Sequence, residues 1–533
     1  MSRASLVLTL CVGVSATALA QTPIDVVPAQ PYQYRFGQAT LGVGDVDADG
    51  FDDFVVGAPN AYAFFNGSAS LISGRDRSVL WTIAGASRDH FGTSLALGDD
   101  VDGDGVADIA IGAIQHKSDL TNAYGYVRLV SGATGATLWT RKGAGVVEYL
   151  GISLAAVGDL DHDGVGDFVA GTNLKMARVI SGATGALLGS LTGGYTFGTS
   201  VSAAGDANAD GTPDFLIATP AYGIVNLFSG ASFQITRTWN ATVPNEGLGT
   251  GMADVGDWNG DGVDDHAIGS PGFDVGALDG GAVHVYSGAT GALLRAFHGT
   301  VDAGRLGTRV DGAGDVDLDG HLDVVASAPG SPIVPSSVRV FSGATGLEFC
   351  AFLAPATPNQ SFGVGLAHVG DVDGDDLPDF AIGSPYEAPF GVTYVVSSAL
   401  LGAQPYGVGT PGCDGAHAVT ANVVPRVGEA AFELRCDEVV PPALGALVLA
   451  AQQDVLGTTI GGVTFHVGLG APYLLLPTSA TSEHAAFALP LPALPSLAGT
   501  QAYALFVWQS ASGCAANPTG LSSSRGLALT IQP

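Results

Sequence analysis

A nine-residue acidic loop, written seven times, constrains this chain more than any other feature. The first copy lies in GDVDADGFDDFVVGAP, with Asp45, Asp47, Asp49 and Asp53 at positions one, three, five and nine and Gly50 at position six. Alternate carboxylates can wrap several oxygens around a hard cation of calcium size. The glycine permits the sharp turn that returns the position-seven carbonyl and the position-nine carboxylate to the ion. The second and third copies read Asp100, Asp102, Asp104, Asp108 and Asp159, Asp161, Asp163, Asp167. The fourth and fifth are Asp206, Asn208, Asp210, Asp214 and Asp257, Asn259, Asp261, Asp265. The last two are Asp315, Asp317, Asp319, Asp323 and Asp371, Asp373, Asp375, Asp379. One such loop is often a solvated turn, but seven in register are a repeated design for holding Ca²⁺. Loops one, two, three and six keep every carboxylate and the glycine, so they are expected to bind best. Asn208 and Asn259 remove charge but keep an oxygen. Loop seven has Asp376 where the turn wants Gly and is expected to be strained.

An EF-hand or dockerin opens in a similar way but needs an acidic ligand at position twelve. Here that position is Val56, Ile111, Ala170, Ile217, Ile268, Ala326 and Ile382. The exiting segments, such as DFVVG and DIAIG, are short, apolar and β-branched, so each loop joins two strands rather than two helices. EF-hands are excluded.

The repeat is longer than its loop. Ahead of each loop stands a Phe-Gly or Leu-Gly step, at Phe36, Phe91, Leu150, Phe197, Leu248, Leu306 and Phe362. After it comes a Gly-Ala-Pro-like turn, complete at Gly57-Ala58-Pro59, and then two strands around a hairpin, as in VRLVSGATGATLWT. That makes four strands per unit at a spacing of 47 to 59 residues, the pattern of propeller blades. With the steps, the loops and the turns in this fixed order, residues from about 24 to 400, some 70% of the chain, resemble FG-GAP repeats of the integrin alpha-subunit propeller. The resemblance implies an all-β, seven-bladed β-propeller with calcium loops between the first two strands of each blade, on one face. It also implies an extracellular binding or adhesion role. Unlike integrins, this sequence has no domain inserted between blades and no leg region.

Blade seven lacks a good fourth strand after VTYVVSS, and IDVVPA, from Ile24, has nothing local to pair with. IDVVPA is therefore expected to be the outer strand of blade seven, closing the ring. Residues 1–20 read as a secretory signal: Arg3, the apolar stretch SLVLTLCVGVSATA, and Ala18-Leu19-Ala20 before cleavage at Gln21. The propeller is assigned to 21–404. Residues 405–533 lose the acidic loops and alternate short apolar runs with Gly, Pro and Ser turns, which points to a C-terminal β-sandwich. This part resembles modules beside FG-GAP repeats in secreted planctomycete-type bacterial proteins. Export makes disulfides expected among Cys350, Cys413, Cys436 and Cys514, with one bridge inside the C-terminal region.

Net charge is −31, and the loops supply 26 of the 50 acidic residues. Such acidity disfavours nucleic acid and anionic membranes as partners, and no stretch after the signal is long and apolar enough to span a bilayer. Catalytic motifs are missing: there is no GxSxG, P-loop or HExxH, and the paired carboxylates are already accounted for as metal ligands. His90, His116, His284, His298 and His466 lack partners at metal-site spacing, and His162 and His266 flank loops without occupying ligand positions. No enzyme is expected.

Two functional readings remain. One is a monomeric, secreted, calcium-stiffened module that presents its loop face to an extracellular protein or matrix partner. The other is a lectin-type propeller that binds a glycan. For sugar stacking the candidates are Tyr62, Phe64, Phe65, Tyr124, Tyr126, Tyr195, Tyr222, Tyr386 and Phe390, which do not recur at one blade position.

Overall fold

The computed structural model describes residues 25–397, apart from 31–32, 60–65, 116–123, 146–147, 174, 276, 317–319, 332–333, 347, 355–360, 374–376 and 388, and beyond them the backbone of strands between 403 and 530. Two compact units result, one of residues 21–401 and one containing 402–533.

The first unit is a seven-bladed β-propeller in which every blade is a four-stranded antiparallel sheet. Blade seven is closed by β1 (Asp25–Pro28). Blade one runs β2 (Ala39–Gly44), β3 (Asp53–Ala58), β4 (Ser68–Ile72) and β5 (Val79–Ala84). The first strands of successive blades touch, and that of blade seven (Gly365–His368) returns to β2, so the ring is complete. As the IDVVPA stretch implied, β1 pairs with Val392–Val396 as the outer strand of blade seven, from Asp25 opposite Val395 to Pro28 opposite Val392.

Burial follows position in the blade. β3 and β4 are buried along their whole length because neighbouring blades cover both faces, whereas β5 alternates at the rim. This explains why DFVVGA and SASLI are continuous small or apolar runs. It also explains why the outer strands tolerate VLWTIA, with Val79 exposed.

The Phe-Gly and Gly-Ala-Pro elements are the two halves of one contact. Phe91 is fully buried and forms an isolated bridge to Gly67 of the preceding blade. Gly92 beside it has φ +88°, which favours glycine. A side chain on Gly57, the glycine of Gly-Ala-Pro, would collide with the Gly92 carbonyl oxygen. Backbone therefore packs on backbone between blades, and both glycines are needed for that approach.

A second inter-blade device recurs on the outer strands. Trp81 Nε1 donates to Gly132 O at 2.8 Å and Trp139 Nε1 to Gly182 O at 2.7 Å, each reaching the Ser-Gly hairpin of the next blade. In blade three Gly189 takes the place of the indole, and the Phe233 ring of blade four lies against it.

In the second unit, Ala403–Tyr406, Gly526–Thr530, Gln501–Ser510, Ala443–Ala450 and Tyr473–Ala480 form one sheet in that order, with Leu521–Ser523 also pairing Gln501–Ser510. Val419–Ala421, Glu433–Cys436 and Ala485–Ala488 form another, and Gln453–Ile460 pairs with Val463–Val467. The expected bridge among Cys413, Cys436 and Cys514 lies outside the described residues. Cys350 is a buried thiol on the outer strand of blade six, pushed up in pKa by burial.

Candidate metal loops

Antiparallel pairing places the acidic loop and the third-to-fourth-strand hairpin of each blade on one face of the propeller. In blade one the loop is residues 45–53, between β2 and β3. Asp45 organises it: its Oδ1 accepts from Asp49 N at 3.0 Å and its Oδ2 from Gly50 N at 2.9 Å. The same position-one bonds recur at Asp100, Asp159, Asp206 and Asp257, and Asp315 accepts from Gly320 N. Gly50 has φ +91°, and the glycines at position six of loops two to six lie between +87° and +92°, as the turn requires. The strain expected at Asp376 of loop seven falls outside the described residues, as do Asp317, Asp319 and Asp375.

Positions one, three and nine converge. Asp45, Asp47 and Asp53 offer oxygens that all lie within 4.8 Å of one another, and so do Asp100, Asp102 and Asp108, Asp159, Asp161 and Asp167, and Asp371, Asp373 and Asp379. Three carboxylates this close form a donor set suited to a hard divalent cation. Position five stands aside: Asp49 Oδ1 accepts from Phe51 N, and Asp104 and Asp163 make the equivalent turn bond. Asp104 Oδ2 also accepts from Ser131 Oγ at 3.2 Å, on the nearby hairpin.

Position nine has a second task that the repeat pattern did not reveal. Asp53 is fully buried; its Oδ2 accepts from Val46 N at 2.9 Å and its Oδ1 from Gly74 N at 2.8 Å, stapling the loop to the hairpin. Asp108, Asp167 and Asp323 repeat both bonds, and Asp379 repeats the bond to its own loop. Asp214 and Asp265 keep the hairpin bond but accept within the loop from the position-three N–H of Asn208 and Asn259. Burial raises Asp53, Asp108, Asp167, Asp214 and Asp265 above the ordinary carboxyl range, against the opposing pull of the backbone N–H groups, and Asp167 and Asp214 reach about 6. Asp47 is raised by desolvation and by its neighbours Asp49 and Asp45.

The Asn loops depart from expectation. Asn208 turns its amide donor, not its oxygen, into the loop: Nδ2 lies 2.9 Å from both oxygens of Asp214. Asn259 does the same to Asp265, at 3.2 and 3.0 Å. A donor N–H thus stands where loops one, two, three and seven have three oxygens facing each other.

A set of buried carboxylates was also missed, though each stands two residues before a Phe-Gly or Leu-Gly step. Asp89 accepts from Ala86 N and from Tyr126 Oη, both at 2.8 Å. Glu148 pairs with Arg178 Nε at 2.8 Å; burial works against its ionisation, but Arg178 and backbone donors hold it below the ordinary range. Glu246 accepts from Thr242 N at 2.7 Å and Ser270 Oγ at 2.9 Å. All three pin connections on the face opposite the acidic loops. Tyr126, a candidate for sugar stacking, is instead a buried strand residue committed to Asp89. On that face Tyr195, Tyr222 and Tyr386 are about 60% exposed, and the Arg35 guanidinium lies 5.0 Å from the Tyr386 ring centroid. Tyr62, Phe64 and Phe65 lie outside the described residues. His266 is fully buried against Trp239 with neither ring nitrogen hydrogen-bonded, at a position where blades one, three, four and seven have Phe54, Phe168, Phe215 and Phe380.

Residues 37–72 and 91–126 match the FG-GAP repeat. Two stretches of the N-terminal unit thus match FG-GAP repeats, and the chain is similar in part to integrin alpha subunits. Over 88 residues the chain is 41% identical to integrin alpha pat-2 of Caenorhabditis elegans, covering 15% of this chain and 7% of that protein. Over 154 residues it is 32% identical to integrin alpha-V of Gallus gallus, covering 27% of this chain and 15% of that protein. The matched segments therefore span only a small fraction of these relatives. Among solved structures, the WD40 β-propeller domain of Doa1 aligns with a TM-score of 0.44 and 16% identity, over 70% of this chain and 96% of that one. Among the described residues no helix is long and apolar enough to cross a membrane.

Proposed function

We propose that the propeller is a secreted, calcium-loaded binding module that engages an extracellular protein and carries no catalysis of its own. The observation behind this reading is the convergence of the position-one, -three and -nine carboxylates in loops one, two, three and seven, on a propeller similar to integrin alpha subunits. Bound calcium would supply positive charge to carboxylates that otherwise repel one another, and so stiffen the loop face. The seven loops with their Asp and Asn ligands are its sites. Residues 1–20 are removed on export, the propeller extends to about residue 404, and 405–533 form a β-sandwich that folds without metal.

We assign the partner to the face opposite the metal loops rather than to the loop face itself. There the exposed large apolar side chains are Tyr195, Tyr222, Val275, Leu278, Val301 and Tyr386, on second-to-third-strand connections and between blades. Aromatic anchors of this kind are enriched where proteins bind one another. A glycan ligand is the second reading, favoured by the exposed tyrosine pair: the Tyr222 ring packs over Gly194, next to Tyr195. The test immobilises the calcium-loaded mature protein and probes it with extracellular-matrix proteins and a glycan array. Protein binding weakened by Tyr222→Ala and Tyr386→Ala supports the first reading, and glycan binding weakened by Tyr195→Ala supports the second. Retention of neither class of ligand in calcium would contradict both.

A further inference from the structure

At six of the seven junctions between successive acidic loops, position eight of one loop meets the residue just before position one of the preceding loop. Pro213 of loop four packs over Gly158 of loop three, Leu322 of loop six over Gly256, and Pro378 of loop seven over Gly314. A side chain at Gly205, before loop four, would collide with the Asp264 carboxylate of loop five. Loops three and four meet again where His162 Nε2 lies 3.4 Å from Thr212 Oγ1. Between loops one and two the junction is open, for nothing stands within 4 Å of a side chain built on Gly44.

At two junctions packing is replaced by a carboxylate that hydrogen-bonds the neighbouring loop. Asp52 Oδ2, at position eight of loop one, accepts from Asp371 N at 3.0 Å, while Asp52 N donates to Asp371 O at 2.9 Å. Asp371 is position one of loop seven, so both its backbone polar groups are held by loop one. Asp99, just before loop two, accepts from Gly166 N at 2.6 Å, immediately ahead of Asp167 in loop three. A carboxylate beside an already acidic loop adds like-charge repulsion, so charge does not favour these two residues where they stand. Their use is as acceptors that fix the neighbour's backbone next to a ligand.

We propose that Asp52 and Asp99 are positioning residues that couple cation binding between adjacent loops, Asp52 presetting Asp371 in loop seven and Asp99 presetting Asp167 in loop three. This rests on the calcium reading above. A loop must fix its backbone to wrap a cation, and a loop already held by an ordered neighbour gives up less freedom on binding. Coupling of this kind is reciprocal, so loading loop seven also favours loop one. Partners outside the immediate ligands that orient them are commonly worth about 10- to 100-fold in metal affinity.

The test is hydrogen–deuterium exchange of the full mature chain across a calcium titration, read separately in segments 159–167 and 371–379. Asp52→Ala is expected to move the calcium midpoint of 371–379 about tenfold upward and leave 159–167 in place, and Asp99→Ala to do the reverse. Asp52→Asn and Asp99→Asn keep an accepting oxygen and should stay within about twofold of the parent. Midpoints that do not move on Ala substitution overturn the proposal. Equal shifts for Asn and Ala overturn it too, because they make charge rather than the bond responsible. The junctions are independent, so if one Ala variant does not fold the other still decides. A parent protein with no calcium-dependent protection in any loop contradicts the calcium reading itself.

Discussion

Loops one, two, three and seven and loops four and five carry the same acidic pattern yet solve the same electrostatic problem differently. In the first group three carboxylates offer oxygens within 4.8 Å of one another. In the second, one side-chain atom has changed from oxygen to nitrogen. The amide of Asn208 or Asn259 now bonds the buried position-nine carboxylate that a cation would otherwise meet. Position three sets the electrostatics of the loop. An Asp leaves its carboxylate facing two others, a repulsion that a bound cation would relieve. An Asn donates its amide to the position-nine carboxylate and would have to turn over before its oxygen could serve a cation.

The largest effect that could break this contrast is calcium removal. Extracellular calcium sites commonly have dissociation constants of about 10⁻⁴ to 10⁻³ M, so roughly 1 mM calcium contributes about 0.4–1.4 kcal/mol per site. Summed over the carboxylate loops this is a sizeable part of the roughly 5–15 kcal/mol by which a domain is stable. Chelator is expected to lower the melting temperature steeply, and magnesium to restore it poorly because it keeps its waters. Calorimetric scans with and without chelator check this.

Next come two substitutions within one loop. Asp53→Ala leaves Val46 N and Gly74 N without their acceptor, each a loss of about 1–3 kcal/mol, and should destabilise the fold with or without calcium. Asp47→Ala removes only a converging ligand and should destabilise in calcium alone. Urea unfolding of both variants in calcium and in chelator separates the staple from the ligand.

Asn208→Asp sharpens the contrast directly. It replaces the donor to Asp214 with another carboxylate, so the calcium-free protein should lose about 1–3 kcal/mol while loop four gains calcium affinity. Thermal melts at fixed calcium levels show whether the two effects have opposite sign.

The smallest effect is a control outside the ligand set. Asp254, on the first strand of blade five, is raised to about 6 mainly by burial, against the bond from Gly256 N. Its folded pKa lies above its unfolded one, so the native state binds the extra proton and stability from this group falls as pH rises from about 4 to about 6. Asp254→Asn keeps an acceptor for Gly256 N and should stabilise at pH 7 by on the order of 1 kcal/mol, with no gain at pH 4. Melts at the two pH values check it, and calcium should not change the outcome.

Most of the fold was legible because propeller blades repeat their chemistry. The Phe-Gly step, the loop and Gly-Ala-Pro recur as words, and even the closing strand could be found from IDVVPA having no neighbour to pair with. The carboxylates at positions one, three and nine, which converge in loops one, two, three and seven, were legible for the same reason. What escaped were relations between repeats. That Asp53 spends both oxygens on backbone donors depends on a hairpin some twenty residues away. Which end of the Asn208 amide faces inward is set by the buried Asp214, and the composition of the loop alone favours neither end. Contacts such as Asp52 with Asp371 join the two ends of the ring, and only closure brings them together.

The most direct test of the central claim is a crystal structure of the protein grown at limiting calcium, with anomalous difference density measured at every loop. Ions are expected between positions one, three and nine of loops one, two, three and seven, with loops four and five filling only at higher calcium as their Asn amides turn over. Ions appearing first in loops four and five, or no ions at any loop in millimolar calcium, would contradict it.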